Sequence, residues 1–258
     1  MVKKLKESEE LQKDFVHIAA HELRNPIQPI LGISSLLMND IPDKKNLINM
    51  INIINRNAKK LIQLTSDILD VTKIETNNLN LQKELFNLND LISDIVEDYN
   101  NQPEFENINI EYEFAFPKRI NVNHGYEKDE RLFKKETNPI YILADRIRIT
   151  QVLSNLLNNA IKFTSPSEEE HEVIKIIVEK IDEEKKVYVN VKDNGKGIDS
   201  SIINHLFSKF TTKSKGGTGL GLYISKRIIE SHGGSIWAKN NEDFDRGAIF
   251  SFSLPLAM

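Results

Sequence analysis

The chain has 258 residues, of which 40% are hydrophobic; 34 Lys and Arg against 38 Asp and Glu leave a net charge of −4. That length supports one large or two small domains with a real core. The charge balance gives no basic excess for nucleic acid, and no basic run flanks an apolar stretch as membrane-surface segments do. There are no cysteines, which excludes disulfides and thiolate metal sites and fits a reducing compartment. No apolar run approaches the roughly 20 residues needed to cross a bilayer, and the charged start MVKKLKESEELQKDF lacks a signal-peptide core. The expectation is a soluble chain with no membrane segment, located in the cytoplasm.

The first 76 residues predict two helices. Val16, Ala20, Leu23, Ile27, Ile30, Ser34, Leu37 and Ile41 alternate spacings of four and three. Leu47, Ile51, Ile54, Ala58, Leu61, Thr65, Ile68 and Thr72 do the same. This is a heptad seam, and a short link around Pro42 makes the pair an antiparallel hairpin. One hairpin cannot bury its stripes alone, so two copies are expected to form a four-helix bundle, a homodimer. On the seam alone, a plain structural coiled coil is the favoured reading.

HELRNP, residues 21–26, argues for more. His21 and Glu22 fall one and two places past the seam position Ala20, so both are expected to point outward, as is Asn25. Pro26 should bend the helix and free a carbonyl near His21. An exposed imidazole beside a carboxylate makes a nucleophile and base, because the acid accepts one ring N–H and makes the other nitrogen more nucleophilic. His17, one turn earlier, could pair with His21 on a metal, but no third ligand is evident.

From about Leu85 the pattern alternates. Strands are predicted at 108–114, 172–181, 187–192, 235–239 and 248–254, and helices near 88–101, 146–163, 201–209 and 219–232. The fold class is α+β: the helical hairpin at 1–80, then an α/β sandwich at 81–258 with one sheet covered by helices. Asp145 is a natural N-cap for the 146–163 helix, whose apolar face is Ile149, Val152, Leu153, Leu156, Leu157, Ala160 and Ile161. Asn155, Asn159 and Lys162 share its polar face, two amides and an ammonium suited to a magnesium-bound polyphosphate, though a solvated helix face reads the same way. DNGKG (193–197) ends a strand. Asp193 there could accept from an exocyclic amine, and Gly195 and Gly197 allow a tight turn near a flat ring. GGTGLGL (216–222) opens a helix, with Gly217, Gly219 and Gly221 leaving room for phosphate beside free N–H groups. The Lys- and Thr-rich stretch before it reads as a mobile lid.

Taken in order, HELRNP, NLLNNAIKF, DNGKG, LFSKF and GGTGLGL resemble the H, N, G1, F and G2 boxes of the sensor histidine kinases of two-component systems, over residues 11–254. The resemblance implies a dimerisation and phosphotransfer hairpin joined to a Bergerat-type ATP-binding domain, using ATP and Mg²⁺. It makes His21 the phosphoacceptor, Glu22 its acid/base, and Asn25 the residue that orients a water for dephosphorylating a partner. It makes Asn159 the metal ligand, with Asn155 beside it. It places Lys162, Phe163, Asp193, Gly195 and Gly197 at the nucleotide, with Lys213, Gly217, Thr218, Gly219, Leu220 and Gly221 on the phosphate side. The implied partner is the receiver domain of a separate response regulator, and the implied setting is the cytoplasm, free or as the inner part of a membrane-bound sensor. Residues 119–139 depart from the family's shorter connection and read as a surface insertion. The other ATPases of this fold, among them chaperones and topoisomerases, lack the seamed hairpin; a degenerate kinase serving as a scaffold would lack the intact boxes.

Overall fold

The computed structural model describes residues 2–39, 42–102, 105, 108–115, 138–164, 172–212, 217–241 and 246–257, with side chains from residue 15 onward. Contacts divide the chain into two compact units: Met1–Leu79 with Phe210–Gly221, and Asn80–Lys209 with Leu222–Met258.

The first unit is built on the hairpin of α1 (Val2–Asn39) and α2 (Lys44–Glu75). Asp43 caps α2, its carboxylate accepting from the Lys45 and Asn46 N–H groups that the helix start leaves unpaired. The buried face departs from the predicted seam at six positions, while Ser34 and Ala58 stay half-buried on it. Leu23, Ile30 and Leu37 on α1, and Leu47, Ile54, Leu61 and Ile68 on α2, are half-buried as the seam requires. Val16, Ala20 and Ile27, and Ile51, Thr65 and Thr72, are exposed, and the residue before each is drawn in instead: Phe15, Ala19, Pro26, Met50, Leu64 and Val71. Ile41 lies outside the described residues. The physical reason is that each helix carries a stripe wider than one heptad seam. The preceding positions are also apolar, and a single chain covers only one side of the stripe. The other side leaves Val16 60%, Ile62 69% and Leu69 61% exposed.

The second unit holds β1 (Glu84–Asn87), α3 (Leu88–Asn100), β2 (Ile108–Ala115), β3 (Tyr141–Ala144), α4 (Arg146–Phe163), β4 (Glu172–Ile181) and β5 (Lys186–Asp193). After a 3₁₀ turn at Ile203–His205 come α5 (Gly221–Ser231), which belongs to this unit from Leu222 on, β6 (Ser235–Asn240) and β7 (Ala248–Pro255). The main sheet has the order β2-β4-β5-β7-β6, parallel only between β2 and β4. A second, two-stranded sheet of β1 and β3 was not expected. The 201–209 segment forms the 3₁₀ turn rather than an α-helix, because Asp199 Oδ1 takes both the N–H (2.9 Å) and the hydroxyl (2.7 Å) of Ser201. Such a local side-chain turn competes with helical pairing. The core lies between the main sheet and its helices. Ile174, Ile176, Val178, Val187, Val189, Val191 and Phe252 meet Ile149, Val152, Leu153, Leu156 and Leu157 of α4 there, all fully buried.

Candidate functional site

In the hairpin, His21 stands on the outer face of α1 with 64% of its side chain exposed, and its Nδ1 is 3.5 Å from Glu22 Oε1. Glu22 is drawn further in than the sequence implied, with 24% exposed. Exposed Asn25 donates from Nδ2 to that same Oε1 at 3.4 Å. One carboxylate oxygen thus serves both neighbours. Pro26 and Pro29 both lie inside α1; lacking N–H groups, they leave the Glu22 and Asn25 carbonyls without helical donors. His17 is exposed, and among the described residues no group of three metal-ligating side chains forms.

The hairpin's unit also contains Gly217, Thr218, Gly219, Leu220 and Gly221. Gly219 has φ +65°, and a Cβ there would lie 2.5 Å from the Phe210 carbonyl carbon, so only glycine fits this close turn. The Leu220 N–H reaches Thr218 Oγ1 at 3.2 Å, and Leu220 is fully buried. The Phe210 ring is 5.6 Å from that of Phe15. Asp67, missed by the sequence reading, is buried on α2. Burial pushes its carboxyl up to about 6, with a smaller push from Asp70, against hydrogen bonds from Gln63 and Thr218. Lys213 lies outside the described residues, as do residues 119–137 of the insertion.

In the second unit, strand alternation on β5 buries Val187, Val189 and Val191, and Asp193 continues that face. Its carboxylate is therefore carried inward between sheet and helices. Burial raises its pKa, while two backbone donors pull the other way: Oδ1 accepts from the Gly195 N–H at 2.9 Å and from the Ala248 N–H at 3.1 Å. Oδ2 takes no hydrogen bond from the described residues. One oxygen anchors the side chain and the other stays available to a ligand.

The loop after Asp193 is pressed onto the end of α4. A Cβ on Gly195 would lie 2.4 Å from the Phe163 carbonyl oxygen, which also accepts from the Lys196 N–H at 3.3 Å. Phe163 is exposed, with Lys162 Nζ 5.9 Å from its ring centre. Further up α4, Asn155 Nδ2 donates to the buried Ser225 hydroxyl of α5 at 3.3 Å. Asn159 is half-exposed, and its amide makes no hydrogen bond to the described residues. The start of α4 is fixed by Asp145, which caps Arg148 N–H and accepts from the Gln82 N–H. The Asp145 N–H in turn donates to His232 Nε2 at 2.9 Å, and His232 Nδ1 meets the Ile228 carbonyl at 2.8 Å. That pattern assigns the neutral ring with Nδ1 protonated, consistent with burial lowering its pKa.

Two contributors escaped the sequence reading. Ala248 supplies one of the donors to Asp193. Gly247, at φ +102°, brings its Cα so close to the Asp193 carbonyl that a Cβ would sit 2.0 Å from the oxygen. The available signal was a glycine directly before a strand-like run.

The two units thus carry a buried carboxylate at a strand end with a glycine loop clasped to a helix C-terminus, and a histidine–glutamate pair on an exposed helix. Residues 11–77 match the family model "His Kinase A (phospho-acceptor) domain", and 144–258 match "Histidine kinase-, DNA gyrase B-, and HSP90-like ATPase". Sensor protein GacS of Pseudomonas syringae pv. syringae is 30% identical over 97% of this chain and 26% of its own length. Sensor protein SrrB of Staphylococcus aureus is 29% identical over 96% of this chain and 38% of its own length. Among solved structures, the catalytic domain of histidine kinase ThkA is 34% identical over 67% of this chain and 95% of that one, with TM-score 0.52. ThkA in complex with response regulator protein TrrA is 30% identical over 99% of this chain and 65% of that one, with TM-score 0.67. The chain belongs to the sensor histidine kinases. It spans from a quarter to two-fifths of the length of the curated relatives. No helix among the described residues is long and apolar enough to cross a membrane.

Proposed function

We propose that the chain transfers the γ-phosphoryl group of ATP to His21, and from there to an aspartate on the receiver domain of a separate response regulator. The observation that carries this is Glu22 Oε1 lying against His21 Nδ1 on an exposed helix face. The Nδ1 proton passes to that carboxylate, and the Nε2 lone pair attacks the γ-phosphorus. The bond from phosphorus to the β–γ bridging oxygen breaks, and ADP leaves. Asp193 accepts a hydrogen bond from the adenine amine through its unengaged Oδ2. Asn159, whose amide has no partner among the described residues, and Asn155 fit Mg²⁺ as hard oxygen ligands. The cation would offset the phosphate charge. Lys162, Phe163, Gly195 and Gly197 border the nucleotide, with Lys213 and Gly217–Gly221 on its phosphate side. The division is a phosphotransfer hairpin at 1–80 and an ATP-binding domain at 81–258, acting in the cytoplasm.

Because Asn25 shares Glu22 Oε1, two activities meet on one helix turn, and they separate by mutation. Glu22→Gln should slow labelling of the chain from ATP by roughly a hundredfold or more, the usual contribution of a positioned base. Asn25→Ala should leave labelling largely intact and slow dephosphorylation of a phosphorylated receiver domain. Equal loss of both activities in both variants would sink the assignment.

The uncovered apolar stripe supports a homodimer closed as a four-helix bundle. Light scattering should give twice 29.6 kDa. Ile62→Asp with Leu69→Asp should give a folded monomer, since both side chains are exposed in the single chain. A wild-type monomer at micromolar concentration would contradict the bundle.

A further inference from the structure

We propose that Asn240 is a positioning residue for adenine recognition: its side-chain amide clamps the far end of the loop that holds Asp193 in place. Asn240 is the last residue of β6. Its Oδ1 accepts from the Ile198 N–H at 2.6 Å, and its Nδ2 donates to the Ile198 carbonyl at 3.1 Å. One side chain therefore satisfies both peptide groups of one residue, as a neighbouring strand would. Among the described residues no strand pairs with Ile198 to do so.

The consequence for the site follows from how the loop 193–198 is tied. At its near end, Gly195 N–H is bound by Asp193 Oδ1 and Lys196 N–H by the Phe163 carbonyl. At its far end the Asn240 pair holds Ile198. Between them Gly197, at φ +75°, is pressed so closely that a Cβ would lie 3.0 Å from Asn240 Oδ1 and 3.2 Å from the Gly247 carbonyl oxygen. The adjoining ends of β6 and β7 thus grip the loop twice: Ala248 N–H on the carboxylate and Asn240 on Ile198. Release of Ile198 frees Gly195 to move. Gly195 then ceases to fix Asp193 Oδ1, and the free oxygen loses its aim. Asn240 need not touch the nucleotide.

This rests on Asp193 being the adenine reader, and the test keeps the two ideas apart. ATP and inosine triphosphate differ at the six position, where inosine has a carbonyl in place of the amine. A buried carboxylate acceptor discriminates strongly against it. In the full chain, Asn240→Ala should raise the KM for ATP about five- to tenfold, the scale of two modest hydrogen bonds, with kcat within about twofold. The KM for inosine triphosphate should rise less than about twofold, so the preference for ATP narrows. Asn240→Asp, which keeps only the acceptor for Ile198 N–H, should fall between wild type and Ala. A role confined to stability would lower the melting temperature and move both nucleotides together. If both KM values rise in the same ratio, or the wild-type preference persists in Asn240→Ala, the clamp is overturned. Asp193→Asn provides the control. If it retains the preference, the adenine assignment falls and the clamp with it. If it loses the preference while Asn240→Ala keeps it, only the clamp falls.

Discussion

His21→Ala protein incubated with γ-labelled Mg-ATP should take up no label, whereas the wild type should carry a phosphoryl group that survives alkali and is lost in acid. Of the six histidines, chemistry favours this one among those the structure describes. His232 is buried with both ring nitrogens engaged, one accepting from Asp145 N–H and one on the Ile228 carbonyl, so neither is free to attack. His205 lies exposed in the short 3₁₀ turn with no carboxylate paired to its ring among the described residues. His17 is exposed on α1, one helical turn from His21 and likewise without a paired acid there. His124 and His171 fall outside the described residues and outside every matched box. Among the described histidines only His21 has a carboxylate oxygen at its Nδ1, 3.5 Å away, able to take a proton as Nε2 forms a bond. A phosphoramidate is stable in base and labile in acid, the reverse of a phosphoserine or phosphothreonine in acid. His21 is 64% exposed, so its replacement by Ala leaves the fold and nucleotide binding intact. Acid-stable label, or label persisting in His21→Ala, would refute the assignment.

The sequence made some of this legible and hid the rest for identifiable reasons. Period-2 alternation on 187–192 placed three valines on one face, and the structure extends that face by two residues to Asp193, so the carboxylate's inward position was readable in principle. The polar row Asn155, Asn159 and Lys162 was likewise readable from helical spacing, because α4 has a clean apolar face. The hairpin seam was right at most of its described positions. Leu23 and Ile30 on α1, and Ile54 and Leu61 on α2, lie where spacing put them. An apolar stripe broader than one seam leaves two registers open, however, and periodicity alone does not choose between them. Sheet β1–β3 was missed because four-residue strands are too short for alternation to register. Gly247, Ala248 and Asn240 were invisible for another reason. Asn240 and Ala248 meet the 193–198 loop across 42 and 55 residues of chain, and no local pattern encodes a contact at that separation.

Asn159→Ala should reduce magnesium-dependent labelling by at least about a hundredfold, the order expected when several kcal/mol of charge stabilisation is removed from phosphoryl transfer. It is the cleanest substitution in the pocket. The Asn159 amide is half-exposed and bonds to none of the described residues, so removing it breaks no structural contact. Alanine is also the strongest helix former, and in the middle of α4 (Arg146–Phe163) it should hold or slightly raise the melting temperature, by about 0.5 kcal/mol in stability. Asn155 does not offer that separation. Its Nδ2 donates to the buried Ser225 hydroxyl, and Asn155→Ala would take that donor away while also removing an oxygen from the phosphate side. The two variants should therefore diverge. Asn159→Ala should keep its melting temperature, lose activity, and show a higher apparent KM for Mg²⁺ in the labelling assay. Asn155→Ala should lose stability along with activity. The adenine contact proposed for Asp193 is a distinct one, so Asn159→Ala should still bind nucleotide without metal as the wild type does, measured by displacement of a fluorescent ADP analogue in the presence of a chelator. A wild-type labelling rate in Asn159→Ala, or an unchanged KM for Mg²⁺ with reduced metal-free nucleotide binding, would remove Asn159 from the metal and place it at the base instead.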